Sequence, residues 1–532
     1  MTTREITQLP EGEDDLIAPR VQAGDVVPMS YSQEQLWFLQ RLEPEMTAYN
    51  LPRVLRLRGP IDADALERAF RAVIERHAIL RTRFLEQDGV PVQIAQEEAA
   101  FSLQKADLSQ ENIAQRDVLL EAEIGPVVSH VFDLGAPPAL VAKLVKLGEE
   151  EFILVFCLHH IVSDAWSNPI LAKDLSDAYR LALQTGEEVH LSQIPLQYGD
   201  YCLWQRKCAQ DGEWTRQIEE WNQYLGPDVP ALDLPTDSPR PAQKRFEGAS
   251  IHFSLPADLQ NAVRNFCKAE RLMPSVPLFA AWQVLLAKYS GQEEFAIGVP
   301  ITGRMREELH DLIGFFVNTL VFKANLASPV SWRQLCLKIR AELIQGMGNA
   351  TLPFELLITN RHDQRSPGRD PLFQVMFDIQ MQDAPLDLHI EGITAEIVER
   401  HYAGSKFDLS LDVLVKPDEI GGRLEFDTAI FREETAARLV DYYARILESL
   451  VTQPDALLAD VALLNDAERG ELLRWGVNKE RYPDVRPVHR LIEERVKEKP
   501  EAIALVFCEE ELSYAELNGR ANRLANRLIA LG

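Results

Sequence analysis

The stretch FILVFCLHHIVSDAWS, residues 152–167, sets the local fold around which the chain is organised. Its first part, Phe152–Leu158, is apolar, rich in β-branched and aromatic residues, and short enough to be a buried strand. Two adjacent histidines, His159 and His160, end this run, and a polar turn with Asp164 follows. Apolar residues at helical spacing come next, so the stretch predicts a strand, a turn and a helix in succession.

The paired histidines at the end of the strand indicate chemistry. Because neighbouring side chains of a strand face opposite sides, His159 and His160 are not expected to share one role. A neutral imidazole near pH 7 can accept or hold a proton, which suits attack by an amine or a hydroxyl on an acyl group. A single histidine after a strand is usually an ordinary hydrogen-bonded residue, but two histidines followed by Asp164 favour a functional turn.

A zinc site fits this spacing poorly. Opposed neighbours rarely reach one metal ion, and His160 and Asp164 would share a face only on one helix, which the preceding strand argues against. We therefore predict no metal site. The six cysteines have no CxxC spacing that would suggest a metal cluster or a disulfide framework; they are residues 157, 202, 208, 267, 336 and 508.

Length and composition limit the class of protein. The chain has 532 residues, 46% of them hydrophobic, which is enough for several domains of roughly 100–200 residues each. Its formal net charge of −27 at pH 7 makes nucleic acid an unexpected partner. No apolar run is long enough to span a bilayer, and the polar, acidic start does not resemble a signal peptide. We predict a cytoplasmic protein without a membrane partner and, by default, a monomer.

The segment HHIVSDAWS, residues 159–167, resembles the HHxxxDG signature of condensation domains from non-ribosomal peptide synthetases, with Ala165 where the family usually has glycine. The same signature occurs in epimerization and cyclization-type domains and, more loosely, in CoA-dependent acyltransferases. The joint order of the matching blocks, over residues 28–450, is very specific to the condensation family. Those blocks include SYSQEQLWFLQRLEP (30–44), ERHAILRTRF (75–84), QYGDYCLWQR (197–206), LDLPTDSPRP (232–241), IGFFVNTLVFK (313–323), GRDPLFQVMFDIQ (368–380) and SKFDLSLDV (405–413).

The resemblance implies a fold and a domain order. Condensation domains are α/β proteins with two chloramphenicol-acetyltransferase-like lobes in a V-shaped pseudo-dimer, and a tunnel between the lobes holds the signature turn. One motif, LSYAEL (512–517), resembles the first motif of adenylation domains, and no phosphate-binding loop follows it. We expect a flexible leader (1–27), an N-terminal lobe (28–189), a C-terminal lobe (190–452), a linker (453–488) and the beginning of an adenylation domain (489–532).

The resemblance makes His160 the central residue of the reaction. It acts either as a general base or chiefly by positioning the amine and stabilising the charged intermediate, and both roles stay open at this point. His159 and Asp164, the other members of the catalytic signature, are expected to be structural.

The turn after Asp164 is the expected oxyanion region. The backbone N–H that follows Asp164 belongs to Ala165 and is the candidate donor to the oxyanion, and Trp166 and Ser167 complete the turn. If this turn needed a positive φ at Ala165, the extra methyl group would be strained there.

Four further residues are candidates for structural or channel roles. Asp164 would be costly to bury unpaired, and either Arg304 or Arg81 is its candidate partner. Asn318 is an amide in an otherwise apolar strand, so we expect it to be hydrogen-bonded, with channel lining as the second interpretation. Val141 stands near a position where the family commonly has arginine, which leaves more room in a channel.

By this resemblance, phosphopantetheine arms bring an acyl thioester donor and an aminoacyl thioester acceptor into the tunnel, and no cofactor is bound permanently. The donor arm belongs to CoA or to a carrier protein, the acceptor arm belongs to a carrier protein, and an adenylation domain is the downstream partner. The acceptor amine attacks the donor carbonyl, which makes an amide and frees the donor thiol.

The type of condensation domain has two main interpretations. We favour a starter domain that N-acylates the first amino acid of a lipopeptide with a fatty acyl-CoA. The first motif begins as early as Ser30, no helical docking segment is evident before it, and Val141 leaves room in the channel. An elongation domain with a peptidyl-carrier donor is the alternative. A catalytically silent recruitment platform and an epimerization domain rank lower, because His160 is retained and adenylation-like sequence follows.

Overall fold

The computed structural model describes residues 17–327, 330–361, 370–381, 388–398, 404–478, 486–507 and 510–531, without the side chains of residues 113 and 114. The chain divides into two compact units, residues 1–463 and 464–532. The first unit contains two α/β lobes, each with its own hydrophobic core. The predicted α/β fold with two lobes is therefore confirmed.

The first lobe alternates strands and helices. Short 3-10 turns, Ala78–Arg81 and His160–Val162, connect some of them. Its elements are β1 (Val27–Pro28), α1 (Tyr31–Leu42), β2 (Asn50–Arg58), α2 (Ala63–Arg76), β3 (Thr82–Gln87), β4 (Val90–Ala95), β5 (Gln104–Asp107), α3 (Ile113–Val128), β6 (Leu140–Lys146), β7 (Glu151–His159), α4 (Ser167–Thr185) and α5 (Tyr198–Gln210).

The second lobe is also built from both strands and helices, and it ends in a long helix. Its elements are α6 (Thr215–Leu225), β8 (Gly248–Ser254), α7 (Ala257–Glu270), α8 (Ser275–Ser290), β9 (Glu294–Ile301), β10 (Asn318–Asn325), α9 (Trp332–Gly348), α10 (Phe354–Thr359), β11 (Val375–Gln380), β12 (Thr394–Ile397), β13 (Leu409–Val415), β14 (Ile420–Asp427) and α11 (Glu433–Thr452). The second unit consists of α12 (Asp466–Trp475), α13 (Val488–Glu498), β15 (Ile503–Phe507), β16 (Glu510–Ser513) and α14 (Tyr514–Leu531).

The strand of the signature stretch is the centre of the first lobe's sheet. In the strand order β12-β2-β7-β6-β5, β7 pairs antiparallel with both β2 and β6. Every residue from Phe152 to His159 is buried, and a strand with both faces covered explains the continuous apolar sequence. Helix α4 follows the turn and packs against α2. The predicted order of strand, turn and helix is confirmed.

The second lobe has a six-stranded sheet in the order β10-β9-β11-β13-β14-β8. Strands β9, β11 and β13 run parallel, and the outer strands pair antiparallel with their neighbours. Helix α8 is buried over most of its surface, and large side chains such as Trp282, Trp332 and Phe377 fill the core near it. Two segments of this lobe approach the signature turn. One follows β9 and contains Arg304, and the other precedes β13 and contains Lys406.

The two lobes share segments, so the chain does not divide cleanly near residue 190. The core of the first lobe includes Tyr198 and Cys202, whereas Cys208, later in the same helix α5, belongs to the second core. Strand β12 comes late in the sequence but pairs with β2 of the first lobe. Because α5 contributes to both cores, the boundary lies within this helix, later than the predicted boundary between residues 189 and 190.

The second half of the predicted flexible leader is packed on the first lobe. Ile17 is buried, and the backbone N–H groups of Arg20 and Val21 donate to one carboxylate oxygen of Asp200 at 2.7 and 2.9 Å. Val27 belongs to β1, which pairs with β4. These contacts order the backbone, so the prediction of a flexible segment is wrong for residues 17–27. Residues 1–16 lie outside the described residues.

Candidate active site

His159 ends β7 and is enclosed by the first lobe. Its side chain is buried, its Nδ1 accepts the backbone N–H of Ile161 at 3.1 Å, and its ring meets that of Phe132 edge to face at 5.8 Å. Burial, aided by the charge of Lys406, lowers the pKa of His159 to about 3. The ring is therefore neutral near pH 7, and its lone pair is already used to support the turn.

His160 leaves the strand and begins the 3-10 turn. Its backbone N–H donates to the Tyr49 carbonyl at 2.8 Å, and its Nδ1 lies 2.8 Å from the Ser163 carbonyl oxygen. Because a carbonyl oxygen only accepts, Nδ1 carries the proton and Nε2 keeps the lone pair. The ring contacts two aromatic side chains, with centroid distances of 6.5 Å to Tyr49 and 4.7 Å to Phe315.

The electrostatic surroundings keep the imidazole of His160 neutral. Burial lowers the pKa of His160 well below its usual range, and the charge of Lys406 lowers it further. The hydrogen bond to Ser163 acts in the opposite direction but is the smaller influence. An imidazole of fixed orientation with an unprotonated Nε2 is suited to take a proton from a nucleophile.

Asp164 lies in a complete set of hydrogen-bond donors. One carboxylate oxygen accepts from the N–H and the hydroxyl of Ser167 at 3.0 and 2.7 Å and from Nη2 of Arg304 at 3.0 Å. The other oxygen accepts the N–H of Phe316 at 3.1 Å. The side chains of Asp164 and Arg304 are only 1% and 0% exposed. A charge this deeply buried persists only when it is paired and hydrogen-bonded, which makes Asp164 part of the scaffold.

Arg304 is in turn held by the backbone of the segment that follows β9, part of which packs in the core of the first lobe. Its Nη1 donates to the carbonyls of Leu309 and Leu312 at 2.7 and 2.6 Å, and its guanidinium lies 3.9 Å from the ring centroid of Phe316. Gly303 has a φ of +64°, and a Cβ there would lie 1.8 Å from the Phe316 carbonyl oxygen, so only glycine fits. The ion pair thus holds the signature turn against the segment that follows β9.

Arg81, the other candidate partner of Asp164, makes local contacts instead. Its Nη1 donates to the Gln96 carbonyl, and its Nε lies 3.4 Å from the Glu75 carbonyl. Both acceptors belong to the first lobe, close to Arg81 in sequence. The structure therefore pairs Asp164 with Arg304, 140 residues further along the chain, and leaves Arg81 outside the signature turn.

Asn318 uses its whole amide on the backbone of its own lobe. Its Nδ2 donates to the carbonyls of Ala350 and Leu352 at 2.9 and 2.7 Å. Its Oδ1 accepts the N–H groups of Thr319 and Phe354 at 2.9 and 3.0 Å. These bonds connect β10 to the segment before α10, which is the structural role rather than the channel role of the two interpretations.

Val141 lies on β6, beside the signature strand. It pairs with Cys157 of β7, and its side chain is partly buried against the core of the first lobe. Its contribution to a donor channel stays a prediction.

The three residues after Asp164 differ in what they can offer an oxyanion. Ser167 directs both its N–H and its hydroxyl to Asp164, so it belongs to the scaffold. The indole N–H of Trp166 donates to the His310 carbonyl at 3.1 Å. Ala165 is exposed and does not have a positive φ, so its methyl group causes no backbone strain. The Ala165 N–H remains the candidate oxyanion donor.

Three residues around His160 were not singled out from the sequence: Tyr49, Phe315 and Lys406. The Lys406 ammonium lies 4.9 Å from the ring centroid of Tyr49. The sequence feature that could have drawn attention to Lys406 is its position as the one basic residue of the block SKFDLSLDV, residues 405–413. Tyr49 and Phe315 carry no sequence signal that separates them from aromatic residues of the core.

The described residues give no indication of a metal centre or a membrane segment. Within the described ranges, no group of three or more His, Cys, Asp or Glu side chains is arranged to hold a metal ion. Of the helices described, none combines the length and the apolar character needed to cross a bilayer.

Comparison with known proteins adds a family to this geometry. The sequence matches the family described as Condensation domain over residues 23–473. One of the linear gramicidin synthase proteins of Brevibacillus parabrevis is 36% identical over 508 residues, which cover 95% of this chain and 10% of that protein. Malpinin synthetase of Mortierella alpina is 34% identical over 527 residues, which cover 99% of this chain and 7% of that protein. The chain therefore spans about a tenth or less of the length of these curated relatives.

Solved structures share the fold. The X-domain from teicoplanin biosynthesis matches with a TM-score of 0.77 at 24% identity, covering 84% of this chain and 99% of that one. The starter condensation domain of rhizomide synthetase, solved as a mutant with C8-CoA and Leu-SNAC, matches with a TM-score of 0.69 at 18% identity, covering 83% and 98%. Both identities are low enough that these matches show the fold alone. With the family match over most of its length, this chain belongs to the condensation domains of non-ribosomal peptide synthetases, which are amide-bond-forming acyltransferases.

Proposed function

We propose that this chain joins an acyl or peptidyl thioester on a donor carrier protein to the amine of an aminoacyl-carrier acceptor. The observation that carries the proposal is the state of His160, whose Nδ1–H is held by the Ser163 carbonyl at 2.8 Å while Nε2 keeps its lone pair. A neutral imidazole in a fixed orientation suits a reaction in which an attacking amine must lose a proton.

The proposed step balances with the two thioesters alone. The amine nitrogen attacks the donor carbonyl carbon, a C–N bond forms, and the carbonyl oxygen gains negative charge. Nε2 of His160 takes the amine proton and passes it to the thiolate as the C–S bond breaks, which yields an amide and a thiol. The Ala165 N–H is the proposed donor to the oxyanion. Because a thioester is already activated, holding the two reactants in line supplies much of the acceleration.

Sequence identity supports a carrier-bound donor. The chain is 36% identical to a linear gramicidin synthase protein and 34% identical to malpinin synthetase, and relatives at this level of identity are mostly elongation-type synthetases. The elongation type is therefore our first proposal, although the sequence alone favoured the starter type.

A starter domain that uses fatty acyl-CoA is the second candidate. It is favoured by Val141, a partly buried aliphatic residue on the strand that pairs with β7. In this type the CoA arm would replace the donor carrier, and the rest of the step would be unchanged.

One experiment separates these functions. The full chain is mixed with an aminoacyl-loaded carrier protein and with either acyl-CoAs of several lengths or an acyl-loaded carrier protein, and the acceptor is read by intact mass. We expect amide formation from the carrier-bound donor. His160→Ala should lower the single-turnover rate by about 10²–10⁴-fold, whereas His190→Ala, on an exposed histidine, should leave it unchanged.

Each other outcome has a defined meaning. Transfer from acyl-CoA alone would replace the elongation proposal with the starter type. A folded protein that is silent with both donors would contradict amide formation and support a recruitment platform. Inversion of the α-carbon of the loaded amino acid, without transfer, would indicate an epimerization domain.

We further propose that the second unit is the beginning of an adenylation domain. None of its described residues is buried, and apolar side chains such as Val488, Phe507, Leu528 and Ile529 are exposed. Apolar surface of this extent usually marks a contact with another part of a protein. An adenylation fragment that lacks this first segment, supplied separately, should slow amide hydrogen exchange in α14, and unchanged exchange would contradict the assignment.

A further inference from the structure

Lys406 is a residue of the second lobe whose positively charged side chain lies near His160. It precedes β13, and its Nζ lies 4.9 Å from the ring centroid of Tyr49. The Tyr49 carbonyl accepts the backbone N–H of His160 at 2.8 Å, and the rings of Tyr49 and His160 are 6.5 Å apart. One residue of the first lobe therefore contacts both the lysine and the histidine.

The backbone around Lys406 is fixed within the second lobe. The Lys406 carbonyl accepts a hydrogen bond from Nζ of Lys244, which also pairs with Asp370 at 2.5 Å. The N–H of Ser405 donates to the Phe246 carbonyl at 3.1 Å. A lysine whose backbone is anchored on both sides directs its side chain to a limited region, here the face of the Tyr49 ring, where a cation is attracted.

Burial has the largest influence on Lys406 and lowers the pKa of its ammonium group. Glu425 of β14 and Asp412 of β13 act in the opposite direction, whereas Arg423, which is ion-paired with Asp412 at 2.7 Å, lowers this pKa further. The lysine thus occupies a partly buried position beside a mixed set of charges on the second lobe's sheet.

Lys406 supplies a formal charge that acts on His160. Within the part of the chain that the structure describes, the other titratable neighbours of this ring include His159, whose pKa is lowered to about 3, and the phenol of Tyr49, whose pKa is raised by burial and by Asp370. Both are neutral near pH 7, and so the cation has no anionic competitor among these neighbours.

We infer that Lys406 is a positioning residue for the condensation step: the second lobe places its ammonium on the ring of Tyr49, which also borders His160, and its charge there favours the neutral form of the His160 ring. The inference rests on the proposed function, because it assumes that His160 acts as an unprotonated base. It assigns to the second lobe a direct electrostatic part in the reaction, beyond holding the turn through Arg304.

The test combines rates with a measurement that needs no turnover. Single-turnover amide formation by the full chain is followed from about pH 9 down to the lowest pH at which the chain stays folded, and the His160 ring is titrated by NMR over the same range after ¹³C labelling of histidine. Lys406→Met should move the His160 titration and the acid limb of the rate profile upward by about one pH unit and lower the rate about tenfold at the acid end. Lys406→Arg should restore both, and Lys173→Met, on an exposed lysine, should change neither.

The outcomes separate this inference from the proposed function. An unmoved titration and acid limb in Lys406→Met would overturn the inference, as would a Lys406→Arg variant as impaired as Lys406→Met, since shape rather than charge would then matter. Absence of amide formation by the unsubstituted chain would overturn the proposed function, while the titration would still show whether Lys406 controls His160. If Lys406→Met fails to fold in a thermal unfolding check, Lys406→Gln takes its place with the same expected shifts.

Discussion

Asp164 and His160 lie four residues apart in one turn and are built in opposite ways. Both oxygens of Asp164 are engaged, by Ser167, Arg304 and the Phe316 N–H. His160 uses one ring nitrogen on the Ser163 carbonyl and keeps a lone pair on the other. A carboxylate without remaining capacity holds structure, whereas an imidazole with a lone pair can exchange a proton. The signature turn therefore contains both a structural ion pair, Asp164 with Arg304, and a reactive group, the imidazole of His160.

Breaking the ion pair should have the largest effect on stability. Arg304→Met leaves the Asp164 carboxylate buried without its partner, and we expect the free energy of unfolding to fall by about 3–5 kcal/mol. Denaturant unfolding measures this loss. Arg216→Met is the matched control, because its ion pair with Glu220 is exposed and should contribute little.

A double variant sharpens the same test. Adding Asp164→Asn to Arg304→Met removes the uncompensated charge, so part of the lost stability should return. Equal losses in Arg304→Met and Arg216→Met would contradict the role of Arg304 as the buried partner.

Adding a side chain at Gly314, beside the Asp164–Arg304 ion pair, should have an intermediate effect on stability. A Cβ on Gly314 would lie 2.2 Å from a ring carbon of Tyr198, and the Gly314 N–H also donates to the Ser167 hydroxyl at 3.2 Å. Gly314→Ala should therefore cost about 1–3 kcal/mol of stability. Gly348→Ala, where nothing lies within 4 Å of the added Cβ, should not destabilise. Similar melting temperatures for the two variants would show that the contact can yield.

The buried ring of His159 should appear in the pH dependence of stability. Its pKa falls from 6.5 to about 3 on folding, so the unfolded chain binds the proton more tightly. The stability it contributes is complete above about pH 6.5 and decreases as the pH falls toward about 3, by up to about 1.4 kcal/mol per pH unit.

Substitution isolates this contribution. His159→Gln should flatten the dependence of unfolding free energy on pH between about pH 4.5 and 6.5, relative to the unsubstituted chain. His190→Gln, on an exposed histidine, should leave the slope unchanged. An identical slope in His159→Gln would contradict a neutral, buried His159.

Ala165→Gly should have the smallest effect. Since Ala165 does not adopt a positive φ, the glycine usual in the family relieves no strain here, and added backbone freedom should cost at most about 1 kcal/mol. The condensation rate should stay within about twofold, because the backbone N–H is retained. A large gain in rate would show that the methyl group obstructs the oxyanion region.

Local sequence patterns predicted the central element well. The run Phe152–Leu158 is a buried strand because its apolar content is continuous, and the helix that begins at Ser167 follows from its spacing of apolar residues. These two features depend on neighbours in sequence, which a single chain displays directly. The two lobes were implied only by the resemblance of the ordered motif blocks to condensation domains.

Long-range contacts could not be predicted in the same way. Arg81 and Arg304 were equally good partners for Asp164, and only the fold brings Arg304, 140 residues away, to the carboxylate. Lys406 had no visible connection to His160, because their link passes through Tyr49 and requires both lobes. The order of residues 17–27 likewise depends on a distant residue, Asp200.

The most direct test of this account is the protonation state of His160 in the folded, unsubstituted chain. NMR of ¹⁵N-labelled histidine rings, with His160→Gln to assign the signal, reports which nitrogen carries the proton and where the ring titrates. The account predicts a proton on Nδ1 and a ring that titrates well below the usual histidine pKa of about 6.5, because burial and the charge of Lys406 oppose protonation of Nε2. A proton on Nε2 at neutral pH, or titration near the usual value, would contradict it.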